Sequence, residues 1–559
     1  MAISGTLLRL SLWIDGLQMA GQPSSIPKLR QWLSTAFCLL LAISWLALLR
    51  DILRFNESGK LALAHQQVDP SWLPSDWYLS IPQSYQWLFQ QIAGFLVVEL
   101  HDPIAAIVIR LLGYACLSLA LARVALQLQL SPLLITLAVV LFAHDQSVIA
   151  GEWMIGSSEP KTFAYAALLM AYALWRERCW AWSGLLLGLA CSFHVLVGIY
   201  GASALAVLVL ARFRGSWNLQ AWCRGSLAFG FPALALSPTF IERLNGPAAE
   251  APLFGKGAGV EPTAEFIYVY LRNPHHLVPA TWTGHQWLHA VAQLMLFSGA
   301  AMLCLRSDWR RPGFPSMACA DLILWTLATA LFALLGLIIS PLDHNGTFLK
   351  AYLFRVPDTL VVLVSWLLLL RGLPVRFVRV WPAALLMLLL VIGGAWAPWG
   401  PAFSESLANR FTSSPEQLEL YVWLRDLPHH DRLILTPPSD FEDLSNQARQ
   451  PKLVQFKQVP TGSAAILTWY HRLTALAGGD HQVWKGAGGF EALQRLNRAY
   501  DGLDAAAMTS LAVDQRAGVV VTRAGHPGPN AWHKGFSNSR WSAWLPPRVA
   551  DAQSGPMEG

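Results

Sequence analysis

Val68-Asp69-Pro70-Ser71-Trp72-Leu73-Pro74-Ser75-Asp76-Trp77-Tyr78-Leu79-Ser80 sets two carboxylates among tryptophans, prolines and a tyrosine. Side chains of this kind favour a membrane–water interface, where one edge of the ring is apolar and the other wet. The tract follows a first long apolar run at 32–50, which delivers it to the far side of a bilayer. A second polar tract lies at the end of the third apolar run: His144-Asp145, Glu152, then Ser157-Ser158-Glu159-Pro160-Lys161. It emerges on the same side, so the remaining chain reads as a frame that gathers these loops at one membrane face.

Composition supports that frame. The chain has 559 residues, 54% hydrophobic and only 13% charged, with a mean hydropathy of +0.40. A soluble domain carries about 25% charged residues. The deficit and the long apolar runs call for a polytopic membrane protein. The 26 tryptophans suit extensive interfacial surface. The net charge of +6 sits in short loops between apolar runs and forms no patch, which argues against nucleic acid as a partner. The seven cysteines fall in apolar runs or near their ends, with no CxxC pair and no disulfide framework. No metal site is read from the sequence, and no cofactor is assigned.

Apolar runs of spanning length fall at 32–50, 103–126, 130–150, 162–176, 179–194, 195–213, 220–240, 286–305, 319–341, 357–371 and 379–398, which makes about eleven spans. Basic residues cluster in alternate loops: Arg9, Lys28 and Arg30, then Arg123, Arg176 and Arg178, Arg212 and Arg214, Arg306 and Arg310, and Arg371 and Arg376. By the positive-inside rule that side is cytoplasmic, so the N-terminus is expected inside and the tail after residue 400 outside. The opposite face has longer loops, at about 51–102, 144–161, 241–285 and 341–356. A helix over about 83–99 is expected to lie along the interface.

The expected organisation is a cytoplasmic segment at 1–31, a membrane portion at 32–400, a small extracytoplasmic α/β domain at 405–545 and a disordered tail at 546–559. In the α/β portion, helices are expected at 415–427, 462–477 and 490–500, with a further helix capped by Asp504. Strands are expected at 432–435, 452–457 and 518–522. Gly486-Ala487-Gly488-Gly489 follows no strand and reads as a loop rather than a phosphate cradle.

Several residues have the chemistry for a site on the outer face. Asp76 and Asp69 are candidate general bases, since a carboxylate at the membrane surface can deprotonate an attacking hydroxyl. Each also reads as a solvated loop acid or a helix cap. Glu159, a third candidate catalytic acid, and Lys161 flank Pro160 at a helix start and are expected to face the same cavity as Asp76, where Lys161 can meet a phosphate oxygen. Pro160 and a capping Ser158 explain the same residues structurally. Arg272, His275 and His276, in Arg272-Asn273-Pro274-His275-His276, form a second group able to grip phosphate. Arg355 opens the tenth span on the outer side, where a phosphate head group or a snorkelling anchor is expected. Arg110 lies inside the second span and calls for a buried carboxylate partner. His194 ends the fifth span.

This layout resembles the GT-C superfamily of integral-membrane glycosyltransferases. The matching features are the inside N-terminus, the acidic first outer loop at Pro74-Ser75-Asp76-Trp77-Tyr78, the interfacial helix, the second outer loop at Ser158-Glu159-Pro160-Lys161 and the outer C-terminal domain. Tyr270-Leu271-Arg272-Asn273-Pro274-His275-His276-Leu277 and Phe456-Lys457-Gln458-Val459-Pro460 look like segments of an uncharacterised bacterial branch with this plan. The resemblance implies a bacterial inner-membrane enzyme that transfers a sugar from a polyprenyl-phosphate donor to a lipid or glycan acceptor. It implies an inverting displacement with a first-loop carboxylate as base. Many members carry two adjacent acids just after the first span, where this chain has only Asp51. The alternative is a non-catalytic membrane protein that keeps the scaffold, either a lipid or polymer transporter or an envelope assembly factor. Scarce mid-span charges weigh against a transporter.

Overall fold

The structure is a computed structural model that describes residues 25–50, 52–53, 56–81, 86–212, 219–234, 262–309, 314–373, 381–395, 414–428 and 432–547. Each of the eleven apolar runs carries a helix: α1 (Ser25–Ala47), α4 (Asp102–Gln127), α5 (Pro132–His144), α6 (Pro160–Arg176), α7 (Trp180–Phe193), α8 (Val195–Ala211), α9 (Leu219–Ala233), α10 (Gly284–Trp309), α11 (Phe314–Ile339), α12 (Arg355–Gly372) and α13 (Trp381–Ala395). Two more helices fill the first outer loop: α2 (Asn56–Val68) and α3 (Trp87–Leu100). Among the described residues, four of the helices are long and apolar enough to cross a membrane by length and composition. Residues 1–24 of the expected segment 1–31, residues 548–559 of the expected tail 546–559, and Asp51 lie outside the described residues.

The bundle turns apolar surface outward. Leu33, Phe37 and Leu41 of α1, Leu288, Met295 and Met302 of α10, and Leu331, Leu334 and Ile338 of α11 are exposed. A soluble monomer rarely shows so much contiguous apolar surface. The chain is an integral membrane protein, and α3, with exposed Trp87, Ile92, Phe95 and Val98, fits the expected interfacial helix.

Local chemistry starts and packs the helices. Ser131 caps α5 by accepting from the Leu134 N–H, and Pro132 follows it in the first turn. A Cβ at Gly184 would come within 2.0 Å of the Gly225 carbonyl oxygen, so only glycine lets α7 and α9 approach this closely. Polar ties close the end opposite the long loops. Arg123 pairs with Glu177 at 2.6 Å, and Arg176 and Arg212 both pair with Asp321, at 3.0 and 2.7 Å. Three of the arginines from which the sequence-based orientation is read are therefore also structural.

Arg110 has the partner its position calls for. Its Nε and Nη2 donate to the two oxygens of Glu57, each at 2.7 Å, and neither side chain is exposed. Its Nη1 donates to the Ala47 and Arg50 carbonyls at the end of α1. Glu57 also accepts from the Leu53 and Ser158 N–H groups. One buried pair thus joins α1, α2, α4 and the loop before α6.

The C-terminal segment lies over the outer loops. It contains α14 (Pro415–Arg425), β1 (Ile434–Leu435), α15 (Leu444–Ala448), α16 (Ser463–Leu476), α17 (Phe490–Asp501), α18 (Ala505–Asp514), β2 (Val519–Arg523), β3 (His533–Ser537) and β4 (Trp541–Leu545). The sheet order is β1-β2-β4-β3, with β1 parallel to β2 and the other pairs antiparallel. Asp504 caps α18 through the Ala507 N–H, as its position predicts. The strand expected at 452–457 is not one, for only an isolated bridge from Lys452 to Ile434 forms. The segment is extended and buried, but side chains take its carbonyls. Arg472 donates to Leu453, Trp469 to Gln455, and Arg272 to Phe456 and Lys457.

Candidate functional site

A cavity of about 2320 Å³ lies between the outer loops and the C-terminal segment. The loop before α6 supplies Glu152 and Trp153, and the first turn of α6 supplies Lys161 beside its N-cap Glu159. His194 comes from the α7–α8 junction, and Arg355 from the start of α12. Asp358, one turn into α12, fixes the Glu152 loop. Its carboxylate accepts from Ser147 Oγ (2.6 Å) and from the N–H groups of Ile149 (2.7 Å), Ala150 (3.0 Å) and Glu152 (3.0 Å). A buried carboxylate satisfied in this way holds a loop rigidly.

Glu152 is the centre of an ion-pair chain. Arg355 Nε donates to its Oε1 at 2.8 Å, and Lys161 Nζ lies 3.6 Å from its Oε2. Lys161 also lies 3.3 Å from Glu159 Oε2 and 3.6 Å from the centroid of the Trp153 ring. Arg355 donates through Nη1 to His194 Nε2 at 3.1 Å and stacks on Tyr352 at 3.9 Å. Burial works to raise Glu152, but the positive charges of Arg355 and Lys161 outweigh it and hold the carboxyl at about 2. Burial pushes the His275 imidazole down to about 3 and lowers His276, whose Nδ1 lies 2.5 Å from the Ala150 carbonyl oxygen. These histidines are neutral at physiological pH.

The same cavity has an apolar wall. Val195, Leu196 and Ile199 of α8 line it, and Ile199 shares an exposed apolar stripe of that helix with Val207 and Leu210. The charged centre therefore connects with a side of the bundle that is dressed for lipid.

Six of the eight candidate residues meet at this cavity: Glu159, Lys161, Arg272, His275, His276 and Arg355. Arg272 is committed to structure there, since its Nε and Nη2 donate to the Phe456 and Lys457 carbonyls. Asp76 and Asp69 are not brought to the lining. Asp76 is fully buried and accepts from the Tyr78 and Leu79 N–H groups, Ser445 Oγ and the Lys452 N–H. It fastens the first outer loop to the C-terminal segment. Asp69 closes a tight turn through the N–H and hydroxyl of Ser71. Glu152, Asp358, Glu442 and Lys457 are the site residues that sequence reading passed over or left unassigned. A lone acid three residues after Arg355, inside an apolar run, is the signal that marks Asp358.

The setting of Asp76 makes a direct prediction. Asp76→Ala should destabilise the protein by about 1–3 kcal/mol, because buried donors lose their acceptor. Melting of the detergent-solubilised protein and limited proteolysis of the C-terminal segment should both show it. An unchanged melting temperature would contradict a fastening role.

The fold and the cavity define a mostly helical integral membrane protein with a charged site on the side of its long loops. A family model described as a domain of unknown function (DUF6798) matches residues 415–476. No curated protein matches the chain. Among solved structures, the chain is similar to the apo oligosaccharyltransferase of Archaeoglobus fulgidus, at 11% identity over 88% of this chain and 69% of that one, with a TM-score of 0.45. It is also similar to ArnT from Cupriavidus metallidurans bound to undecaprenyl phosphate, at 12% identity over 92% and 97%, with a TM-score of 0.42. Both are GT-C glycosyltransferases, the superfamily that the sequence resembles.

Proposed function

We propose that this protein is a membrane glycosyltransferase that takes a sugar from a polyprenyl-phosphate donor and passes it to a lipid or glycan acceptor on the extracytoplasmic face. The observation that carries this reading is the continuity of one cavity from the Lys161–Glu152–Arg355 chain to the outward apolar surface at Ile199. A phosphate suits the first end, because guanidinium and ammonium groups bind it by charge-assisted hydrogen bonds. A polyprenyl tail suits the second. In the reaction, Arg355 and Lys161 stabilise the charge that gathers on the leaving phosphate. His194 and Glu152 orient Arg355.

The experiment is sugar transfer by purified protein in liposomes, supplied with radiolabelled undecaprenyl-phosphate-linked sugars one at a time. Transfer that disappears with Lys161→Ala supports the reading. Binding of undecaprenyl phosphate with no transfer from any donor overturns it in favour of a non-catalytic carrier or assembly factor. One observation favours that second reading: Glu152, Glu159, Glu265 and Asp440 of the cavity are all held in ion pairs.

The orientation belongs to the same proposal, with the N-terminus cytoplasmic and the C-terminal segment outside. Reporter fusions at residues 215 and 410 should report cytoplasm and exterior respectively. A cytoplasmic signal at 410 would put the cavity on the wrong side for this reaction.

A further inference from the structure

We propose that Glu442 of the C-terminal segment is the general base of the transfer. The inference rests on the glycosyltransferase reading and assigns the proton acceptor within it. Transfer to a hydroxyl needs a carboxylate that reaches the cavity and is free to take a proton. Glu57 is spent on Arg110, while Asp69 and Asp76 do not line the cavity.

The cavity carboxylates differ in their commitments. Glu152 is held by two cations, and Glu159 by Lys161. Glu265 pairs with Lys350 and accepts from Ser463. Asp440 pairs with Arg523 and lies 4.0 Å from Arg540, and Asp443 accepts from Tyr421 at 2.6 Å. Glu442 has Lys457 Nζ at 3.5 Å, and about a third of its side chain, 32%, is exposed. Among the described residues it therefore combines access to the cavity with one ion-pair partner. Burial raises its carboxyl above the ordinary value, with Lys457 and Lys452 opposing. Burial likewise lowers Lys457, with Glu442 itself opposing.

The backbone around Glu442 is pinned. Its carbonyl accepts from Lys452 Nζ at 2.9 Å and from Gln458 Nε2 at 3.4 Å. The Lys452 N–H in turn donates to Asp76. The first-loop aspartate thus acts as a positioning residue, one step removed from the carboxylate that faces the cavity. Glu442, Lys452 and Lys457 all lie in the stretch matched as a domain of unknown function.

The step balances. A Glu442 oxygen takes the proton of the acceptor hydroxyl. The acceptor oxygen uses the freed pair to bond the anomeric carbon from the side opposite the phosphate. The bond from that carbon to the phosphate oxygen breaks, its pair stays on the phosphate, and polyprenyl phosphate leaves beside Arg355 and Lys161. No redox partner is required.

The test uses full-length protein in liposomes with the donors named above. Glu442→Gln keeps the shape but cannot take the proton, so transfer should fall by about 10²–10⁴-fold. Binding of undecaprenyl phosphate should stay within about twofold of wild type. Wild-type transfer should fall as pH falls through the raised carboxyl value, and this acid limb should vanish in Glu442→Gln. Formate should partly restore Glu442→Ala, a rescue that a purely structural salt bridge would not show. Wild-type-like transfer by Glu442→Gln, or a larger loss in an Asp51→Asn control, would overturn the assignment and leave the glycosyltransferase reading standing. Bound undecaprenyl phosphate with no wild-type transfer would remove the reaction, and the base with it.

Discussion

Arg110→Ala is expected to cost about 3–5 kcal/mol of stability, because it strands the Glu57 carboxylate in a site with no water. Among the described residues Glu57 would keep the Leu53 and Ser158 N–H donors, and the carbonyls of Ala47 and Arg50 would lose the guanidinium donor. The loss should appear as a lowered melting temperature in detergent and reduced yield in membranes. Glu57→Gln should be damaging for the complementary reason, since it leaves the guanidinium without a counter-charge. Replacing both residues with apolar side chains of similar volume, Arg110→Met with Glu57→Leu, should recover much of the loss, as replaced buried pairs do elsewhere. A double variant as unstable as Arg110→Ala would mean that the backbone bonds to Arg110, rather than the charges, hold the four elements together.

Arg355→Lys should weaken binding of a polyprenyl phosphate by about 10- to 150-fold. A hydrogen bond to a charged group is worth about 1.5–3 kcal/mol, and lysine lacks the planar fork that grips phosphate at two points. The lysine charge can still meet Glu152, so the melting temperature should move much less than in Arg110→Ala. The comparison separates a clamp from a strut. Loss of fold together with loss of binding would mark Arg355 as a strut, and unchanged donor binding would remove it as a clamp. Titration of the purified variants with undecaprenyl phosphate, alongside detergent melting curves, measures both.

The membrane portion was legible because apolar runs must be helices where lipid offers the backbone no partner. That argument works run by run and needs no knowledge of contacts. It failed at α2, whose sequence Asn56-Glu57-Ser58-Gly59-Lys60-Leu61 carries polar residues on a face that is buried. A helix that hides Glu57 against Arg110 has no apolar stripe to reveal it. The expected strand at 452–457 failed for a related reason. Leu453, Val454 and Phe456 are buried as a strand would require, but arginine and tryptophan side chains satisfy the carbonyls in place of a neighbouring strand. β3 gives no strand signal, since His533-Lys534-Gly535-Phe536-Ser537 is mostly exposed and interrupted by glycine.

The site divides along the same line. Lys161 and Arg355 stood out because each opens a span, where a charge is conspicuous, and the two histidines because they sit side by side just after an arginine in a long loop. Glu152 was visible as a loop acid, but its ties to Arg355 and Asp358 join residues about 200 positions apart. Asp76 drew attention through its aromatic neighbours, and these turn out to share its fastening role. Trp77, for example, lies under Arg472 of the C-terminal segment at 4.7 Å. An interfacial composition marks a surface that must be covered, whether by lipid, substrate or another part of the chain.

The most direct test of the central claim is a cryo-electron microscopy map of the protein in nanodiscs with undecaprenyl phosphate. The account predicts the phosphate within hydrogen-bonding distance of Arg355 and Lys161, with the polyprenyl chain leaving past Val195 and Ile199. A phosphate bound elsewhere, or a cavity that stays free of lipid at saturating undecaprenyl phosphate, would contradict it.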